Sequence, residues 1–148
     1  MKTAICYLSV HHGNTLQLLQ AMAQAESIDL IDLRTRQTVD LTGYDRVGFA
    51  SGIYGFAMHQ AVLDFARQYL PAGKPVFFVY TYGLTKGTGA SELKKLAAER
   101  GCPVLGEFGC RGYDTFGPFR LVGGLSKGHP DQQDLEQGQA FIRRLAET

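Results

Sequence analysis

Three short stretches of this 148-residue chain combine residue types suited to holding a charged, flat ligand. The first, Ser9-Val10-His11-His12-Gly13-Asn14-Thr15, follows an apolar run and precedes a helical spacing. A helix N-terminus leaves backbone N–H groups unpaired and carries partial positive charge. A loop of this kind therefore suits a phosphate dianion without lysine or arginine. Gly13 lets the backbone approach a ligand, and Ser9, Asn14 and Thr15 add short donors. The loop has one glycine and no Gly-Lys-Ser/Thr, so it is neither a Walker loop nor a Gly-x-Gly-x-x-Gly turn. The plainer alternative is a well-capped helix, with Asn14 or Thr15 as the cap.

The second stretch is Ser51-Gly52-Ile53-Tyr54-Gly55-Phe56-Ala57-Met58-His59, and the third is Thr81-Tyr82-Gly83-Leu84-Thr85-Lys86-Gly87-Thr88-Gly89. Alternating glycines and aromatics at a strand end can offer backbone hydrogen bonds and stacking faces to a flat ligand. Each stretch alone also reads as an apolar loop docked on its neighbours. Their convergence on one sheet edge favours a site with a phosphate end and an aromatic end.

Five apolar runs would position these loops, at 3–9, 28–33, 46–51, 75–82 and 103–108. The fourth, Pro75 to Tyr82, is nearly all apolar and β-branched or aromatic, as befits a strand buried on both faces. Helical spacings lie between them. Leu18, Leu19, Met22 and Ala23 follow the first run, and Val62, Phe65, Ala66 and Tyr69 predict a helix over 59–70, stopped by Pro71 and Gly73. Leu93, Leu96 and Ala97 form another, with Gly101 as C-cap. Phe141, Ile142 and Leu145 form a last one after Pro130-Asp131. The 34–45 connection shows only a Leu41-x-x-Tyr44-Asp45 turn. Alternating strands and helices predict a single α/β domain over 1–148, a mostly parallel sheet covered on both faces, with ligands at the strands' carboxyl ends.

At this point the chain resembles the flavodoxins and flavodoxin-like proteins, in their short-chain form. The resemblance rests on Tyr7-Leu8-Ser9 leading to Gly13-Asn14-Thr15, on Gly48-x-x-Ser51-Gly52-Ile53-Tyr54, and on Tyr80-Thr81-Tyr82-Gly83. It implies a three-layer flavodoxin-like fold, with a five-stranded parallel sheet of order 2-1-3-4-5 and one non-covalent FMN. By that resemblance Ser9, His11, His12, Gly13, Asn14 and Thr15 hold the FMN phosphate. Ser51, Gly52, Ile53, Tyr54 and Gly55 border the ring, with Tyr54 a stacking face, and Thr81, Tyr82 and Gly83 close its other side. His11-His12 is a departure, since the family's loop has threonine there and is one residue shorter.

The resemblance further implies a carrier that passes single electrons to redox partner proteins. Two alternatives stay open: an FMN-dependent NAD(P)H:quinone or flavin reductase, and a flavin-free binding module. With 15 Lys and Arg against 14 Asp and Glu, no global field points to nucleic acid or an acidic membrane. No apolar run is long enough for a membrane span or a signal-peptide core, so a cytoplasmic address is expected. Three cysteines without a C-x-x-C pair argue against disulfides and structural zinc, and Cys6 reads as a small buried hydrophobe. The four histidines have no ligand spacing. Eighteen glycines exceed the usual ~7% and gather in the loops and over 101–128. Residues 109–130 read as a long ordered loop near the site, or as a surface for self-association, with Arg111 and Asp114 able to pair locally.

Overall fold

The computed structural model describes residues 1–36, 38–113, 124 and 126–147. Five parallel strands form the sheet: β1 (Thr3–Leu8), β2 (Asp29–Asp32), β3 (Arg46–Tyr54), β5 (Val76–Tyr82) and β6 (Val104–Arg111). Their order is β2-β1-β3-β5-β6. Setting aside β4 (Ala57–Met58), a two-residue strand antiparallel to β3, this is the 2-1-3-4-5 order expected. The helices are α1 (Asn14–Ala25), α2 (Gln60–Tyr69), α3 (Ser91–Glu99) and α4 (Gln132–Ala146). No helix occupies the described residues between β2 and β3, where Tyr44 N–H closes a turn on the Leu41 carbonyl.

Strand alternation divides the core into two layers. Ala4, Cys6 and Leu8 of β1 join Val47, Phe49, Phe78 and Tyr80 beneath Val62, Leu63, Phe65 and Ala66 of α2 and Leu93, Leu96 and Ala97 of α3. Ile5 and Tyr7 join Phe77 and Val79 beneath Leu18, Leu19 and Met22 of α1 and Phe141, Ile142 and Leu145 of α4. Two glycines make this second layer possible. A Cβ on Gly48 would lie 2.5 Å from the Phe77 ring, and one on Gly138 would lie 2.7 Å from Leu18, so both permit close packing. Burial pushes the Cys6 and Cys110 thiols up to about 12, so both behave as small hydrophobes.

The α-helix ends are set by chemistry the sequence displays. Asp131 caps α4 by accepting from Asp134 N–H, while the Asp134 carboxylate accepts from Asp131 N–H. Arg100 caps the other end of α2, donating to the carbonyls of Ala66, Arg67 and Leu70. Two strands run past their apolar runs. β3 reaches Tyr54, and β6 continues through Gly109, Cys110 and Arg111, which pair with Tyr80, Thr81 and Tyr82. The long segment after β6 therefore begins at Gly112, not Gly109. Its residues 114–123 and 125 lie outside those described, as does the Asp114 of the expected local pair.

Candidate functional site

Register aligns the carboxyl ends of the strands. Leu8 pairs with Ser51, Ser51 with Tyr80, and Tyr80 with Gly109, so four connections leave one edge side by side. They are 9–13, 55–59, 83–90 and the segment from Gly112.

The first connection is a 3-10 turn, His11–Gly13, that runs straight into α1. His12 has φ 60° and Gly13 has φ 66°, and Asn14 then returns to right-handed helix at φ −57°. A left-handed residue followed by a right-handed one gathers consecutive N–H groups onto one side, the concavity that anion sites use. A Cβ on Gly13 would meet no protein atom within 4 Å, so within the chain glycine serves the left-handed conformation. The N-cap residue of α1 is Gly13, which has no side chain to cap with, and the first turn holds no acidic residue.

Neither Asn14 nor Thr15 caps the helix, which corrects the plain capping alternative. Asn14 Nδ2 donates to the Tyr113 carbonyl at 2.8 Å, and the buried Thr15 hydroxyl lies 3.0 Å from the Thr81 hydroxyl at the end of β5. Ser9 is the residue that serves the helix, accepting from Leu16 N–H at 3.1 Å. The His12 ring sits against Tyr113, centroids 4.4 Å apart. The side chain of His11 lies outside the described residues.

The second connection folds back as a tight hairpin, with Ile53 paired to Met58 and Tyr54 to Ala57. Its two tip residues, Gly55 and Phe56, both have positive φ, 57° and 70°. A two-residue hairpin turn of the favoured hand requires this. Phenylalanine adopts it rarely, so Phe56 is strained. Its side chain is 68% exposed. Ser51 turns its hydroxyl into its own loop, donating to the Gly52 carbonyl and accepting from His59 N–H. Tyr54 folds over Gly52, where a Cβ would lie 3.0 Å from its hydroxyl, and meets His59 edge-on at 5.2 Å. His59 Nδ1 accepts from Ala61 N–H and so caps α2. Burial lowers the His59 pKa.

The third connection is tied to its neighbours at both ends. The Gly83 carbonyl accepts from Ser126 Oγ at 2.6 Å and from Arg111 at 3.4 Å. At the far end Thr88 binds the Phe56 carbonyl, and Gly87 packs against it so closely that a Cβ would fall 2.2 Å from that oxygen. Tyr80, one residue before Thr81, is buried and donates to Glu107, which is ion-paired with Lys94.

The flavodoxin-domain family model matches residues 4–111, from β1 through the last residue of β6. The chain belongs to this family. An uncharacterized protein of Methanocaldococcus jannaschii, MJ0298, is 33% identical over 147 residues, covering 98% of each chain. Among solved structures, oxidised flavodoxin 2 from Bacillus cereus superposes at a TM-score of 0.73 with 18% identity, covering 99% of each chain. A Fusobacterium nucleatum flavodoxin mutant bound to flavin mononucleotide superposes at 0.69 with 12% identity, covering 99% of this chain and 96% of that one.

The flavodoxin-domain match ends at Arg111, yet the edge it positions does not. Gly112, Tyr113 and Ser126 lie beyond the match and all bind its loops. All three fall in 109–130, which the sequence places near the site without singling them out, and Thr88 falls in the third stretch with no role of its own. The one signal was the clustering of glycines and aromatics after β6. No helix among the described residues is long and apolar enough to cross a membrane.

Proposed function

We propose that this flavodoxin-domain chain binds one FMN at the carboxyl edge of its sheet and carries single electrons between redox partner proteins. Support comes first from the left-handed Gly13 followed by right-handed Asn14 at the start of α1. Gly13 N–H donates to the Val10 carbonyl, and the turn presents the next two N–H groups, of Asn14 and Thr15, to an anion, with no carboxylate in the loop to repel it. The residues present fit a phosphate. The flavodoxin mutant of Fusobacterium nucleatum, which shares the fold, is bound to flavin mononucleotide.

In this reading the backbone of 11–15, with Ser9 and Thr15 behind it, holds the phosphate. Ser51 to Gly55 and Thr81 to Gly83 border the ring, with His11 and His12 flanking the phosphate end. FMN supplies one-electron chemistry when bound. The chain's own contribution is position and field. Thr15–Thr81 fixes the phosphate loop to the end of β5, and Thr88–Phe56 fixes the two ring loops to each other. No Asp or Glu occurs in 51–58 or 82–89, and Lys86 is exposed there, so these two loops do not repel added negative charge.

An absorbance spectrum of the purified protein, followed by anaerobic photoreduction and an NADPH oxidation assay with a quinone acceptor, tests this. Flavin bands that photoreduce without NADPH turnover are expected. A chain that takes up no flavin, or one that turns over NADPH, contradicts it.

A further inference from the structure

We propose that Gly112 and Tyr113 form a wall of the phosphate site and, through Asn14, set its preference for a phosphorylated over an unphosphorylated flavin. The inference rests on the FMN reading above. These two residues are placed by their own backbone. Gly112 N–H donates to the Tyr82 carbonyl at 2.8 Å, and Tyr113 N–H donates to the His129 carbonyl at 2.8 Å. They thus cross from the ring loop to the start of α4, passing the N-terminus of α1.

Tyr113 grips both flanks of Gly13. On one side its carbonyl accepts from Asn14 Nδ2 at 2.8 Å. On the other its ring lies 4.4 Å from that of His12, at an interplanar angle of 34°. Gly112 is shaped for the same contact. A Cβ there would lie 2.7 Å from Asn14 Nδ2 and 2.9 Å from Cγ, and its φ lies outside the left-handed region. Glycine at 112 therefore serves Asn14 and not the local backbone.

The turn that Tyr113 clamps is one that resists its own conformation. His12 is a non-glycine residue with φ 60°, followed at once by a second left-handed residue. Such strain persists only where surrounding contacts over-determine it. Holding residues 12 and 14 through one partner keeps the N–H groups of the turn converged before any anion arrives, and preorganisation of this kind raises affinity without adding a contact. Loosening the clamp at Asn14 costs the phosphate end of a ligand, while the tie to the ring loop, Gly112 N–H to the Tyr82 carbonyl, is backbone and is kept.

The test compares FMN with riboflavin, which lacks only the phosphate, by fluorescence titration of the flavin-free full chain. Inorganic phosphate binding, followed by 31P line width, is the readout without flavin. Asn14→Ala and Gly112→Ala are each expected to weaken FMN roughly five- to tenfold, the loss of about one hydrogen bond, with riboflavin unchanged. Phosphate binding should weaken in parallel. In the double variant Gly112→Ala should cost less than it does alone, because the amide it displaces is gone and only the Cβ at position 14, 3.0 Å from the added methyl, remains. Thermal melts identify a variant that merely unfolds, and Asn14→Ala, which adds no bulk, keeps the result readable if Gly112→Ala does. Equal losses for FMN and riboflavin, no loss in either, or additive losses in the double variant would overturn the wall. A natural protein that binds FMN and riboflavin equally overturns the phosphate site itself, a separate outcome.

Discussion

The Phe56 carbonyl accepts two hydrogen bonds from one residue, from Thr88 N–H at 2.7 Å and from the Thr88 hydroxyl at 2.9 Å. Two loops 32 residues apart are joined at this point, and the join holds Phe56 in its left-handed conformation.

Gly87→Ala is expected to damage this join more than Thr88→Val. The first puts a Cβ at 2.2 Å from the Phe56 oxygen and forces a side chain onto a residue with φ 55°. The conformation alone costs roughly 1–2 kcal/mol. Thr88→Val removes one hydrogen bond, about 1 kcal/mol. Urea unfolding of both variants ranks them, and equal costs would contradict the close approach.

His59 makes stability depend on pH. Burial lowers its pKa, so the folded chain prefers the neutral imidazole, whose Nδ1 accepts from Ala61 N–H. Between the lowered folded pKa and the unfolded value near 6.5 the unfolded chain binds more protons. The contribution is therefore complete above about pH 6.5 and is lost as pH falls through the folded pKa. Melting temperature should drop on acidification through that window, and His59→Gln should flatten the drop. An unchanged slope in the variant counts against it.

Arg46 is buried at the start of β3. Its Nε donates to Thr3 Oγ1 at 2.8 Å, and its Nη1 donates to the Leu145 carbonyl in the last turn of α4. A guanidinium there ties the final helix to the first strand. Arg46→Ala should cost about 2–3 kcal/mol in urea unfolding, since both acceptors lose a charged partner. Arg46→Lys should recover only part of that, lacking the planar fork. A cost below about 0.5 kcal/mol would show the tie to be idle.

On the proposed reading, the ring loops should make full reduction of the flavin easier than in a chain with acidic loops. Lys86→Glu introduces a carboxylate into a segment that has none. The potential of the second electron should fall by an amount on the order of tens of millivolts, by like-charge repulsion across solvent. The effect should shrink in high salt. A redox titration showing no change, or a rise, contradicts the assignment of 82–89 to the ring.

Much of this was legible in the sequence, and the parts that were not share a cause. Strand alternation and the Val62, Phe65, Ala66, Tyr69 stripe placed α2 at 59–70 against the observed Gln60–Tyr69, because both signals are local. The 34–45 connection offered only the Leu41-x-x-Tyr44-Asp45 turn, and its described residues hold no helix. The end of β6 was not. Gly109 reads as loop, yet it is a strand residue whose missing side chain admits the Tyr80 ring, 2.3 Å from where a Cβ would stand. Tyr80 lies on the neighbouring strand, and nothing near Gly109 announces it. Asn14 is similar. It reads as a cap because asparagine caps helices, but its amide goes to Tyr113, 99 residues away. Glycine and polar residues advertise their local uses, while the fold here has used them at long range.

Fluorescence titration of the flavin-free chain with FMN tests the central claim most directly. The account predicts quenching of flavin emission with an endpoint at one FMN per chain, and much weaker binding of riboflavin. FMN emission that titrates as free flavin, with no endpoint, would contradict it.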